Sequence, residues 1–124
     1  MGLTREACTL GVATSVLPRH VLVSRYSIER LLEVLSDTDI AALEAIVGKG
    51  NVSTRSADLD AHSVDESWVE PHRPDAVAWP WSAKEISCVL RLANERAIPV
   101  VPWSGGSSLE GNPIPVRGGI VLAM

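Results

Sequence analysis

The chain has 124 residues, of which 46% are hydrophobic, 21% charged and 4% aromatic, with no Phe. That is apolar enough for a core and too short for more than one domain, which excludes a wholly disordered tail and a multidomain enzyme on this chain alone. A net charge of −4, a pI near 5.3, and only Lys49 and Lys84 beside scattered arginines argue against a nucleic-acid partner, which needs clustered cations. No apolar run approaches the roughly 18 residues of a membrane span. Cys8 and Cys88 are too few for a disulfide framework and fit a reducing compartment or plain core use.

Residues 1–35 carry Arg5, Arg19, Arg25 and Arg30 among many Ser and Thr, against only Glu6, Glu29 and Glu33. This composition is that of a mitochondrial-type transit segment, but an ordinary N-terminal extension is the simpler reading. There is no sustained apolar stretch of the secretory kind. Tyr26 to Leu35 is a candidate first helix.

Ser36 opens the next one. It stands three residues before Asp39, a variant of the capping box, and Ile40, Leu43, Ile46 and Val47 recur at helical spacing until Gly48 and Gly50. The helix is expected over 37–47. Residues 48–75 read as a polar, irregular connection. His62, Asp65, Glu66, Trp68, Glu70 and His72 gather there, but their spacing matches no familiar metal-ligand pattern, so a solvated segment is expected.

Asp75 to Trp79 is a short apolar stretch closed by Pro80, and reads as a strand. Ser82 and Glu85 make an S-x-x-E capping box. Ile86, Val89, Leu90, Ala93 and Ala97 then lie on one helical face, with Lys84, Ser87, Arg91, Asn94 and Glu95 opposite, and Cys88 and Leu92 on that opposite side too. Pro99 stops the helix near Arg96, because it disfavours helix at Ile98. Ile98 to Pro102 is a second strand, so strand, helix and strand form a β-α-β unit. Gly119 to Ala123 reads as a third strand.

Between the second and third strands lies Trp103-Ser104-Gly105-Gly106-Ser107-Ser108-Leu109-Glu110-Gly111-Asn112-Pro113. Gly105 and Gly106 admit positive φ, which can turn successive N–H groups into an anion-binding concavity, and Ser107 and Ser108 add hydroxyls. No Lys or Arg lies inside the loop. It is neither a Rossmann fingerprint nor a Walker A loop, and by itself SGGSS is also the composition of a plain turn.

The stretch PDAVAWPWSAKEISCVLRLANERAIPVVPWSGGSSLEGNPIPVRGGIVLAM resembles the start of the FAD-binding domain shared by relatives of vanillyl-alcohol oxidase and p-cresol methylhydroxylase (PCMH). Its EGNPIP continuation and the upstream HSVDESW segment are most similar to the branch of glycolate oxidase FAD-linked subunits and cytochrome-dependent D-lactate dehydrogenases. The resemblance covers about residues 48–124. It implies an α+β fold: the β-α-β start of a PCMH-type FAD-binding domain, preceded by short helices and cut off mid-domain. Residues 1–35 would be the N-terminal extension and 36–124 the N-terminal part of that domain.

The resemblance further implies that Pro102, Trp103, Ser104, Gly105, Gly106, Ser107, Ser108, Leu109, Gly111 and Asn112 form the loop around the pyrophosphate of FAD. Ser104 stands where this branch commonly has glycine, Ser107 where it has threonine, and His62 where tyrosine is common. Other branches carry at Ser107 a histidine that bonds the flavin covalently, so the FAD here is expected to be non-covalent. No catalytic or metal-ligating residue is implied on this stretch. The parent activity would be oxidation of a D-2-hydroxy acid, of D-lactate or glycolate type, with electrons passed from flavin to a cytochrome or quinone-linked acceptor, in the cytoplasm or mitochondrion. This chain is expected to be inactive alone; a non-catalytic nucleotide-binding module, a subunit completed by another chain, and an inactive truncated product remain as alternatives.

Overall fold

The computed structural model describes residues 35–124. The candidate helix from Tyr26 and the transit-segment reading lie outside the described residues. The first element, α1 (Asp37–Val47), has the expected bounds. Its capping box is complete: the Asp39 N–H donates to the Ser36 hydroxyl at 3.3 Å, and the Ser36 N–H donates to Asp39 Oδ2 at 3.0 Å. Both satisfy donors that a helix N-terminus leaves without partners. Gly48 ends the helix, its N–H donating to the Glu44 carbonyl at 2.9 Å.

The connection expected over 48–75 is more ordered than its composition suggests. After a single 3₁₀ turn it holds a two-residue strand, β1 (Val52–Ser53), and a short helix, α2 (Ser56–Ala61). Both escaped the sequence reading for a physical reason. Two residues are too few to show an alternating pattern, and six too few to show a helical one. The remaining elements are β2 (Ala76–Ala78), α3 (Ala83–Arg96), β3 (Val100–Trp103) and β4 (Ile120–Ala123).

The strands form one mixed sheet in the order β1-β2-β4-β3. β1 runs antiparallel to β2, while β2, β4 and β3 are mutually parallel. The β-α-β unit is therefore present, but its two strands are not neighbours. β4 is inserted between them, pairing Ala76 with Ile120 on one side and Val100 with the same Ile120 on the other. β2 and β4 lie within the stretches expected to be strands, while β3 starts inside Ile98 to Pro102 and runs one residue past it, to Trp103.

Alternation along the strands divides the core in two. One face carries Ala76, Ala78, Ile120 and Leu122 under Leu43, Ile46 and Val47 of α1 and Val89 and Leu92 of α3. The other carries Val77, Val121, Ala123 and Trp103, with Leu59, Trp79 and Val101 packed beside them. β4 is buried at every residue, as a central strand covered on both faces must be.

The buried stripe of α3 is rotated from its expected position. Cys88 and Leu92 are buried with Val89 and Ala93, while Leu90 is 47% exposed. Periodicity alone allows Leu90 and Leu92 to compete for the core; the seat of α3 on β2 and β4 beside α1 decides for Leu92. Cys88 is buried and is not a free thiol. At the N-terminus of α3, the Ser82 hydroxyl accepts from the Glu85 N–H at 3.2 Å, but Glu85 caps the Trp81 N–H at 2.7 Å rather than that of Ser82. Arg96, in the last turn, reaches Asp39 in the first turn of α1 and ties the two helices together.

Ala97 closes α3 in the left-handed conformation, with φ 55° and ψ 38°, while the Ile98 N–H donates back to the Ala93 carbonyl at 2.8 Å. A Cβ is strained there, and glycine is the residue that this cap favours. Ala97→Gly is expected to stabilise the protein by about 0.5–1 kcal/mol after the greater unfolded freedom of glycine is counted. Thermal unfolding followed by circular dichroism should show a midpoint higher by a few degrees. A lowered midpoint would mean that the cap is not strained.

Candidate functional site

The chain leaves the sheet from the C-terminal end of β3 and enters the loop expected to bind the cofactor. In an open parallel sheet this end of the strands is where ligands bind. Pro102 lies in β3 opposite Leu122 and is exposed; Trp103 is the last residue of the strand, opposite Ala123, and is buried. Ser104, Gly105 and Ser107 are exposed, Gly106 and Ser108 half-buried. Leu109 is 70% exposed. Gly111 is half-buried and Asn112 exposed.

Trp103 forms the floor. A Cβ built on Gly106 would lie 2.6 Å from Trp103 Cζ2, and Gly106 has φ +65°. Both the indole beneath it and its backbone conformation therefore require glycine. Gly105 does not share the positive φ expected for it. Nor does Ser104, so the serine that replaces a glycine of the resembling branch stands where any residue is accommodated.

Trp103 is itself held from below. The ring of His62 packs against it with centroids 5.0 Å apart and against Trp79 at 5.8 Å in a T-shaped arrangement. His62 Nδ1 lies 2.7 Å from the Asp58 carbonyl oxygen, which anchors the imidazole to α2. An aromatic ring of another kind could fill the same place, consistent with tyrosine there in the resembling branch.

The loop has two halves with different bonding. Among the described residues, the backbone N–H groups from Ser104 to Leu109 donate to no acceptor of the chain. Beyond them the donors are taken. The Glu110 N–H donates to the Ser108 hydroxyl at 3.2 Å, and the Gly111 N–H to Asp65 Oδ2 at 3.0 Å. Asp65 Oδ1 accepts the Ser67 N–H at 2.9 Å, and the Glu66 N–H donates to the Ser108 carbonyl at 3.1 Å. Gly111 has φ +74° and a Cβ there would meet Val69 Cγ2 at 2.5 Å. Residues 63–69 are thus a strap fastened along the far half of the loop, not the solvated connection expected for them.

Asp65 is the residue that sequence reasoning missed. Partial burial works against its charge, but hydrogen bonds from the Ser67 side chain and N–H, the Gly111 N–H and the Ser108 hydroxyl prevail and hold its carboxyl below the ordinary aspartate value. Of the other polar residues in that region, His72 Nδ1 lies 2.8 Å from the Glu70 carbonyl oxygen. Among the described residues no group of His, Cys, Asp or Glu is arranged to hold a metal ion.

Such a loop fits a phosphate ester. It offers consecutive N–H donors with no internal acceptor, flanked by the hydroxyls of Ser104 and Ser107, next to a glycine that lets the backbone approach closely. Residues 74–124 match a family model described as an FAD binding domain, and this match supports FAD as the cofactor. The fold is that of PCMH-type FAD-binding domains: a solved structure of p-cresol methylhydroxylase superimposes with a TM-score of 0.62 at 26% identity, over 71% of this chain and 18% of that one. In sequence the chain is 35% identical over 96 residues to the mitochondrial cytochrome-type D-lactate dehydrogenase 1 of Saccharomyces cerevisiae, covering 71% of this chain and 16% of that protein. It is 34% identical over 77 residues to the glycolate oxidase subunit GlcD of Bacillus subtilis, covering 62% of this chain and 16% of that protein. The chain spans about one-sixth of the length of these two relatives. No helix among the described residues is long and apolar enough to cross a membrane.

The strap should be sensitive to acid. A carboxyl with a lowered folded value contributes stability that is fully present above its unfolded pKa of about 3.9 and is lost as pH falls through the lower folded value. Asp39 and Asp58 are lowered in the same sense. For Asp39, hydrogen bonds from Ser36 and Arg96 overcome burial; for Asp58, those from Ser53 and Arg55 dominate. The thermal midpoint is expected to be nearly level from pH 7 to about 5 and to fall below about pH 4. Asp65→Asn should lower the midpoint at pH 7 and make the fall shallower. Parallel curves for the two proteins would show that Asp65 is not part of the acid transition.

Proposed function

We propose that residues 36–124 form the N-terminal portion of a PCMH-type FAD-binding domain, and that Pro102 to Asn112 cradle the pyrophosphate of FAD in an oxidoreductase acting on a D-2-hydroxy acid. The observation that carries the cradle is the run of N–H groups from Ser104 to Leu109, none with an acceptor among the described residues, around a Gly106 that admits no Cβ. The substrate class rests on the relatives, named as a D-lactate dehydrogenase and a glycolate oxidase subunit. The name of the former also supports a cytochrome as electron acceptor and a mitochondrial location.

When bound, FAD would supply the redox chemistry for oxidation at the carbon that bears the substrate hydroxyl. The part of this chain is to bind and orient. Backbone dipoles of the loop neutralise phosphate charge without a cation. The hydroxyls of Ser104 and Ser107 add donors where the loop opens to solvent. The Trp103 ring keeps the backbone at Gly106 from sinking into the core. Ser107 has no nucleophilic imidazole to join to the flavin, so the cofactor is held non-covalently, and acid precipitation should leave all flavin in the supernatant.

Binding of FAD, ADP and riboflavin to the chain provides the test. FAD and ADP share the diphosphate; riboflavin lacks it. The first two are expected to compete for one site and riboflavin to fail to displace them. Gly106→Val should weaken FAD binding by about tenfold or more, since a β-branched side chain can neither take this φ nor clear Trp103. Ser82→Ala should cost about 1 kcal/mol of stability through the lost helix cap and leave FAD affinity unchanged. Wild-type FAD affinity in folded Gly106→Val protein would show that the loop does not cradle the pyrophosphate.

A further inference from the structure

The far half of the loop is fastened by a carboxylate, which is an unexpected group beside a site for an anion. Asp65 Oδ1 and Oδ2 each accept a backbone N–H, from Ser67 at 2.9 Å and Gly111 at 3.0 Å. The second bond joins residues 46 apart in sequence. Beside it, the Ser108 carbonyl accepts the Glu66 N–H at 3.1 Å, from the residue next to Asp65. The strap therefore grips the loop at Ser108 and Gly111, on either side of the last open donor, Leu109.

We infer that Asp65 is a positioning residue for diphosphate binding: by fastening Gly111 to the strap, next to the Glu66 N–H that holds the Ser108 carbonyl, it fixes the end of the loop and so keeps the N–H groups from Ser104 to Leu109 in a single, open arrangement. The inference rests on the reading of the loop as a diphosphate cradle. A flexible loop must be ordered when its ligand binds, and that ordering is subtracted from affinity; a loop ordered beforehand avoids the loss. The carboxylate also acts in the opposite direction, since its negative charge repels the phosphates.

The two effects predict opposite signs for one substitution. Asn has the shape of Asp but carries no charge, and its amide nitrogen must face one of the two N–H donors that Asp65 now accepts. If charge repulsion is the larger effect, Asp65→Asn binds FAD more tightly. If positioning is the larger effect, it binds more weakly, by about tenfold, the loss expected when a hydrogen bond to a charged group is replaced by facing donors.

FAD and ADP affinities are measured for the wild-type chain, Asp65→Asn, Asp65→Ala and Gly106→Val, each on folded protein. Weaker binding of both ligands by both Asp65 variants supports the inference. Unchanged or tighter binding by Asp65→Asn, with Gly106→Val impaired, overturns it and leaves the cradle standing. Wild-type affinity in Gly106→Val overturns the cradle and the inference together. If the Asp65 variants do not fold, amide hydrogen exchange in the wild-type chain decides. Slower exchange at Gly111 than at Gly105 and Gly106 supports the fastening, and equally fast exchange at all three overturns it.

Discussion

Much of this structure depends on the insertion of β4 between β2 and β3. Without it, β2 and β3 have no common partner, and α3 has no continuous sheet to cover. With it, Ile120 pairs with Ala76 on one side and Val100 on the other, and each residue of β4 is buried. The insertion also sets where the loop begins. β3 becomes the outer parallel strand, so the chain leaving Trp103 runs over the rim of the sheet before it returns at Ile120. The backbone there is free of ladder partners, which is the condition for its N–H groups to serve a ligand.

The helices were legible because each announces itself locally. Ser36 with Asp39, and Ser82 with Glu85, mark the starts of α1 and α3, and apolar spacing follows each. The three parallel strands were legible as short apolar runs between turn residues. Their order was not, because pairing of Ala76 with Ile120 joins residues that no local pattern relates. The same limit applies to α3, where both Leu90 and Leu92 are plausible core residues on periodicity and only the packed partner distinguishes them.

The loop itself was legible and its support was not. Gly106 and Gly111 stand in a glycine-rich stretch whose resemblance to a cofactor loop can be seen in the sequence. Gly105, equally prominent there, takes no positive φ. His62 and Asp65 fall in a polar segment that suggests solvent, or at most a metal. Yet the first lies under Trp103 and the second bonds Gly111. A polar residue that accepts a distant backbone N–H has the same composition as one that points into water. Only the tertiary contact distinguishes them.

Trp103 joins the two halves of the molecule. Its ring belongs to the second core with Val77, Val121 and Ala123, and the edge of the same ring sits where a Cβ of residue 106 would be. The core thus extends directly to the backbone of the loop at Gly106. Packing on the His62 side is stiff because aromatic rings fill it, and interiors of this density transmit displacement rather than absorb it. His62 packs against the same Trp103 ring that bars a Cβ at Gly106, so the imidazole reaches the loop only through that ring. Asp65 acts at the other end through hydrogen bonds. The loop is thus held at two points, by an aromatic ring under Gly106 and by a carboxylate at Gly111.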